Sequence, residues 1–373
     1  MESPKTIFHV DLDAYYASLA IRNNPDLVDR PIVVGPNPKE SNGRGVVLTC
    51  SYEARKFGIR SGMPVSKAKW LCPDEIIYVR VDWEDVHKTS KRIHSLLKRF
   101  ADDDHYQPAG CDEGYLDVTR RVRHYNGPEE LAREIQHEMK NQENLSCSVG
   151  IGPNKLVGKI ASDFNKPLGI TRIDPNDVLD FLGPLSVRKI IGVGPKTASR
   201  LKHLGIHTIA DIRDSQDKIE RNLGPHVSNW LVQASFGEGS SQIRSSRVGL
   251  LNAFKSISHE TTFLEDSDDW SQIEDRVQSL TLDNCRRIHR RGLSFRTITI
   301  KLRFANFDTC TKSTTLSQPC TNTKKAIDVS LGLLQSLRSR SKNRRIRLVG
   351  SRFSGLQKRM KPLSKWFVQN TGS

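Results

Sequence analysis

The sequence predicts an α+β chain of several domains, and three observations carry that reading. Between Ile7 and Ile151 the pattern runs strand, helix, strand pair, helix, strand, the order of a ferredoxin-like sheet, with an insertion at residues 24–80. Residues Ile190 to Ile206 hold a Gly-x-Gly-Pro-x-Thr-Ala turn between helical segments, a helix-hairpin-helix pattern. From Gly237 to Ser256 the composition shifts to glycine, serine and arginine, and a second alternation of helices and strands follows.

The first element organises the rest. An apolar run, Ile7 to Val10, delivers Asp11 and Asp13 to a strand end, and Ala14 to Asn23 reads as a helix with adjacent tyrosines, Tyr15 and Tyr16. Carboxylates held at a strand end suit a divalent cation, although taken alone the pair equally suits a helix cap. A second acidic pair, Asp112 and Glu113, lies on or between two short strands from Gln107 to Thr119 and strengthens the cation reading. With helices on one face of the sheet, the other face is expected to stay free for a substrate, and both pairs can meet there.

The insertion opens with a strand at Pro31–Gly35, a polar loop at residues 36–45 and a strand at Val46–Cys50. Ser51 to Phe57 is a short helix closed by Gly58, and Tyr52 and Arg55, three apart, share its face. Helices follow at residues 66–70 and 82–100. Asn126–Glu130 starts another, with Pro128 in the first turn and two acids at the positive end of the dipole. Leu145 to Ile151 alternates as a half-buried strand, and a helix over residues 154–165 ends at Lys166-Pro167.

In the helix-hairpin-helix stretch, Gly192 and Gly194 let a phosphate backbone approach N–H groups at a helix start, with Lys196 and Arg200 nearby. Gly237 to Ser241 reads as a flexible linker. Beyond it, a helix near 270–290, strands at 296–304 and 346–353 and a helix at 324–337 carry many arginines and lysines, among them Arg286, Arg287, Arg290, Arg296, Lys301 and Arg303. So nearly single-signed a unit points to a nucleic-acid backbone.

Composition agrees. The chain has 373 residues, enough for roughly two to four domains, and a formal net charge of +16 that favours a polyanionic partner. Mean hydropathy is −0.51, and no apolar run is long enough to span a bilayer. The N-terminus enters a strand at once without a signal-peptide pattern, so a cytoplasmic protein is expected. Seven cysteines stand singly and eleven histidines show no ligand spacing, which argues against a disulfide framework or a zinc module.

Together VDLDAYYAS, SYEARKFGIRSGMP, CDEGYLDVT, GIGPNKLVGKIASDFNKP and IIGVGPKTASRLKHLG resemble the Y-family of translesion DNA polymerases. The DinB branch (DNA polymerase IV and polymerase kappa relatives) is the nearest match, over residues 6–356. The resemblance implies a right-hand polymerase. Its parts would be a ferredoxin-like palm (1–23 and 81–170), small fingers (24–80), a thumb with the helix-hairpin-helix (171–236), a linker (237–255), an α/β little finger (256–357) and a tail (358–373).

It further implies that Asp11, Asp112 and Glu113, with the backbone carbonyl of Leu12, hold two Mg2+ ions, with Asp13 a cap or a supporting group. Tyr16 would be the steric gate against ribonucleotides, and Tyr15 would offer a backbone N–H to the phosphates. Tyr52, Arg55 and Lys166 would clamp the triphosphate, and Val46, Leu48 and Gly62 would roof the nascent base pair. Primer-template DNA would lie against Gly192, Gly194, Lys196 and Arg200 and against Arg296, Lys301 and Arg303. Cys111 and Gly114 replace the usual serine and alanine, which leaves the carboxylate count intact, and Leu48 replaces a small residue, so a tighter roof and poorer acceptance of bulky lesions are expected.

No acidic constellation remains for a proofreading exonuclease, so low fidelity is expected, with weak processivity. In the tail, Leu363, Trp366 and Phe367 resemble a box for a PCNA-type sliding clamp, with Met360 where a glutamine usually stands; the alternative is an apolar tail folded onto the body. An archaeal source, a monomer and a nucleoid-associated cytoplasmic location complete the expectation. The rivals are a non-catalytic DNA-binding relative, disfavoured by the full set of acids and clamp residues, and a nucleotide cyclase, which has no use for a helix-hairpin-helix.

Overall fold

The computed structural model describes residues 5–72, 75–243, 255–339 and 344–358. The chain divides into two compact units, Met1–Gly249 and Leu250–Ser373. The first is built on a five-stranded sheet in the order β5-β6-β1-β7-β8. Its central strand β1 (Ile7–Leu12) is antiparallel to both β6 (Glu113–Asp117) and β7 (Cys147–Gly152). β5 (Tyr106–Pro108) pairs outside β6, and β8 (Ile170–Arg172) adds a parallel edge beside β7. Without β8 this is the ferredoxin-like order.

Alternation along β1 decides what each face does. Phe8, Val10 and Leu12 enter a core with Tyr15 and Leu19 of α1 (Tyr15–Asn23), Ile93 and Leu97 of α4 (Trp83–Phe100), and Leu131 and Ile135 of α5 (Pro128–Glu143). The period of two leaves Ile7, His9 and Asp11 on the opposite face. Asp82 caps α4 by accepting from the N–H groups of Glu84 (2.9 Å) and Asp85 (3.1 Å), and Lys98 and Arg99 complement its negative end.

That opposite face is not free, contrary to the expectation from sequence. Helix α6 (Lys155–Ser162) lies across β7 and β1, so close that a Cβ on Gly150 would stand 2.0 Å from the carbonyl oxygen of Gly158. Only glycine permits backbone to rest on backbone in this way. Asp11, Asp112 and Glu113 nevertheless stay half-exposed at the strand ends. The far side of α6 supplies Val157, Ile160 and Ala161 to a helical core. There they meet Leu182 of α7 (Val178–Leu182), Leu201 of α8 (Pro195–His203), Ile212 of α9 (Ile209–Arg213), Ile219 of α10 (Gln216–Leu223) and Leu231 of α11 (Pro225–Ser235).

The insertion forms a small sheet of β2 (Ile32–Val34), β3 (Thr49–Cys50) and β4 (Ile77–Val79) with α2 (Tyr52–Lys56) and α3 (Val65–Leu71). The strand expected over Val46–Cys50 shortens to Thr49–Cys50. Val46 bridges to Pro64 and the Gly62 N–H reaches the Val47 carbonyl (2.8 Å), so this segment turns toward residues 62–64 before it joins β2.

Gly237 to Ile243 is docked on α6, which corrects the flexible-linker reading of that stretch. The Gly237 carbonyl accepts from Asn154 Nδ2 (2.8 Å), the Ser240 carbonyl from the Lys155 N–H (3.2 Å), and Ile243 is buried with Ile7 and Tyr115. The remaining residues of that segment, 244–254, lie outside the described residues.

The second unit is an antiparallel sheet in the order β11-β10-β12-β9, formed by β9 (Ser256–Ser267), β10 (Leu293–Phe304), β11 (Thr309–Cys320) and β12 (Ile346–Ser354). A short β13 (Gln357–Lys358) pairs with the start of β10. α12 (Trp270–Arg290) and α13 (Thr323–Arg338) cover one face, packing Ile273, Val277 and Leu334 against Ile298, Ile300 and Leu302. The other face is rich in hydroxyls, with Thr297 and Thr299 bonded across to Thr315 (3.0 Å) and Ser313 (2.9 Å). The basic residues are therefore split. Lys301 and Arg303 lie on the hydroxyl-rich face, whereas Arg286, Arg287 and Arg290 line the exposed flank of α12.

Candidate active site

Backbone register gathers the acids. Asp11 on β1 pairs with Glu113 on β6, and the Leu12 N–H donates to the carbonyl of Asp112 (3.0 Å). The N–H groups of Ala109 and Gly110 reach back to the Glu113 carbonyl (3.0 and 3.3 Å), which closes the turn. Ligating atoms of His9, Asp11 and Glu113 come within 4.8 Å of one another, and Asp112 adjoins them.

Two lysines face these acids. Lys166 pairs with Asp11, and Lys159 of α6 pairs with Glu113. Glu113 also lies 3.4 Å from His9 Nε2; that hydrogen bond and Lys159 hold its carboxyl well below the usual range. Asp11 goes the other way. Burial pushes it up to about 7, against the pull of Lys166 and with help from Asp112 and Glu113. Burial, then Glu113, raises Asp112 as well. Hard oxygen donors in excess of the local positive charge fit a Mg2+-class cation, and Asp11, Asp112 and Glu113 are the residues that would hold it.

Asp13 caps nothing. Ala14, in a left-handed conformation (φ 45°), precedes α1 without a side-chain cap. The buried Asp13 carboxylate accepts instead from Ser148 Oγ (2.8 Å) and from the backbone N–H of Leu168 (3.0 Å), supporting the loop that carries Lys166.

Tyr15 is buried and donates its hydroxyl to the Val86 carbonyl (2.9 Å), tying α1 to α4. Tyr16 is half-buried, its ring 5.3 Å from that of Tyr15 and edge-on to Trp83 at 6.1 Å. The Arg55 guanidinium lies 4.5 Å from the centre of the Tyr52 ring. The Tyr52 hydroxyl is buried with no hydrogen-bond partner among the described residues, and burial followed by Asp13 pushes its pKa up to about 12.

Among the intended roof residues, Val46 is exposed, Gly62 turns at φ 80° with open space beside it, and Leu48 packs half-buried against the cluster of Ala17, Ile32 and Val34. Gly192 turns at φ 100° beside Trp230, and Gly194 precedes α8 without a side-chain cap. Lys196 is exposed, and Arg200 donates to the Asn222 carbonyl (2.5 Å). In the second unit Arg296 reaches the Leu316 carbonyl (3.4 Å) and Arg303 donates to Thr309 Oγ1 (3.1 Å). Lys301 is paired with Glu260 at 2.8 Å, so its charge is already matched. Leu363, Trp366 and Phe367 lie outside the described residues.

Residues 10–163 match the impB/mucB/samB family, residues 254–364 the C-terminal domain of that family, and residues 175–206 the IMS family HHH motif. DNA polymerase IV 2 of Methanosarcina mazei is 37% identical, over 95% of this chain and 93% of that relative. The chain belongs to the DNA polymerase IV (DinB) branch of the Y-family. DNA polymerase IV of Bacillus velezensis is 33% identical over 96% of the DinB chain and 84% of its own length. The Y-family DNA polymerase chimera Dbh-Dpo4(243-245)-Dbh superimposes with a TM-score of 0.83 at 29% identity, over 95% of this chain and 99% of the chimera. The insertion ternary complex of Dbh DNA polymerase gives 0.62 at 29% identity, over 95% and 99% of the two chains. This DinB chain is thus a DNA-directed DNA polymerase of the translesion class, with the right-hand fold of its family.

Sequence reasoning missed Lys159 and His9. The signals were there: Lys159 falls within the helix expected over residues 154–165 that leads to Lys166, and His9 shares a strand face with Asp11.

Proposed function

We propose that this DinB polymerase extends a primer on a damaged template by nucleotidyl transfer at Asp11, Asp112 and Glu113, with primer-template DNA and deoxynucleoside triphosphates as substrates. The observation that carries it is the convergence of these carboxylates, fixed by strand register, with the Lys166 ammonium and a buried Tyr52 hydroxyl that lacks a partner among the described residues. Two Mg2+ ions held by the three acids and the Leu12 carbonyl would activate the primer 3′-hydroxyl and stabilise charge on the leaving pyrophosphate.

The chain's own groups do the rest. Arg55, stacked on Tyr52, and Lys166 neutralise the triphosphate, and the Tyr52 hydroxyl donates to one of its oxygens. The Tyr16 ring, braced by Trp83, takes the space a ribose 2′-hydroxyl needs. Gly192, Gly194 and Lys196 receive the DNA backbone. Leu48 makes the roof tight, the tail residues Leu363, Trp366 and Phe367 engage a PCNA-type clamp, and the polymerase acts as a monomer of palm, fingers, thumb and little finger.

Primer extension on undamaged and abasic templates tests the reading, with wild type beside the double variant Asp112→Ala/Glu113→Ala. Distributive, Mg2+-dependent extension that vanishes in the variant is expected. Tight DNA binding without extension by the wild type would refute it.

A further inference from the structure

Helix α4 reaches the acid-bearing turn from the core side of the sheet through His94. Its Nε2 lies 3.1 Å from the Gly110 carbonyl oxygen, and its Nδ1 is hydrogen-bonded to the Tyr106 hydroxyl. A carbonyl can only accept, so Nε2 carries the ring proton. Tyr106 must then donate to Nδ1. Burial lowers the His94 pKa and keeps the ring neutral, so a single arrangement satisfies imidazole, phenol and carbonyl together.

Both ends of this chain of bonds touch the turn. Gly110 stands two residues before Asp112, and a Cβ on it would lie 3.2 Å from Asp112 Oδ1 and 3.1 Å from Glu113 Cγ, so both acids rest against its backbone. Tyr106 is buried and lies across Gly114, where a Cβ would come within 2.4 Å of the phenol oxygen and 2.6 Å of the ring. A glycine directly after the acidic pair is what admits the ring.

We propose that His94 and Tyr106 are positioning residues for nucleotidyl transfer: together they hold the Gly110 carbonyl and so set the distance of Asp112 and Glu113 from Asp11. The proposal rests on the reading of Asp112 and Glu113 as cation ligands. Neither residue touches substrate.

The test uses the full chain with Tyr106→Phe, His94→Leu and His94→Gln, the last keeping a donor near the position of Nε2. Tyr106→Phe and His94→Leu are expected to raise the Mg2+ concentration for half-maximal extension about tenfold and to lower kcat by a similar factor. The nucleotide KM should stay within about twofold, because the clamp residues are untouched. His94→Gln should recover most of the loss, and Tyr106→Phe/His94→Leu should be no worse than either single change, since both break one chain of bonds. Lower melting temperatures with an unchanged Mg2+ dependence would overturn the proposal, as would full additivity. Asp112→Ala separates the two readings. If it retains extension, the ligand assignment fails; if it is inactive while the His94 and Tyr106 variants show wild-type Mg2+ dependence, only the positioning role fails.

Discussion

The buried carboxylate of Asp13 accepts the backbone N–H of Leu168 at 3.0 Å, two residues beyond Lys166. Its second oxygen takes the Ser148 hydroxyl at 2.8 Å, so both lone-pair sets face donors. Asp13→Ala would leave the Leu168 N–H and the buried Ser148 hydroxyl without these acceptors. A loss of about 1–3 kcal/mol in chemical denaturation is expected. Steady-state kinetics should show a several-fold higher nucleotide KM, because Lys166 loses its support, with a smaller change in kcat.

Divalent-cation binding should depend on pH through Asp11. With its carboxyl pushed up to about 7, the cation-free fold keeps a proton that the unfolded chain has already released. Between roughly pH 4 and pH 7 the folded state therefore binds more protons, and this group's contribution to stability falls as pH rises. A cation must displace that proton. Stabilisation by Mg2+ or Mn2+ should be small near pH 5.5, strengthen by up to about tenfold in affinity per pH unit, and level off above about pH 7. Melting curves with and without the ion at three pH values check this; a pH-independent shift would contradict it.

Tyr52→Phe should separate stability from binding. The hydroxyl is buried and unpartnered among the described residues, so its removal should leave the free protein unchanged or more stable by up to about 1 kcal/mol. The nucleotide KM should rise about fivefold or more as a phosphate loses its donor. Destabilisation with an unchanged KM would show that the hydroxyl serves the fold alone.

Glu260→Gln is expected to tighten DNA binding. Lys301 on β10 sits across Gly350 of β12 from Glu260 on β9, and the side chains meet over the glycine at 2.8 Å. Neutralising Glu260 leaves an unmatched ammonium, so the log–log salt slope should steepen by about one. Lys301→Ala should weaken binding less than Arg303→Ala. Anisotropy titrations over a salt series would show the order.

What the sequence disclosed follows its local periodicities. Alternation in Ile7–Leu12 and the spacing to Asp112 and Glu113 locate the acids, because register converts period-two patterns into neighbours across a sheet. The helix-hairpin-helix turn is local in the same way. The rest depends on contacts between distant segments. Composition made Gly237–Ser241 look like a loose tether, yet Asn154 and the neighbouring Ile243 hold it down. A capping aspartate and a supporting aspartate look alike until Leu168 and Ser148 are known to face Asp13. Likewise, the Lys301–Glu260 pair spans three strands and leaves no mark at any fixed spacing.

Helix α6 turns Gly158 to the sheet, Lys159 to the acids, and Val157, Ile160 and Ala161 to the helical core. In the terms of modular recombination, it is a keystone claimed by two neighbours. A chimera that imported the helical segment with a crossover near residue 170 would marry a foreign core to three resident side chains, and any mismatch there would be passed along one rigid helix to the Lys159–Glu113 pair. Crossovers meant to exchange parts between relatives belong after Ile243, where sequence can be traded without splitting that core.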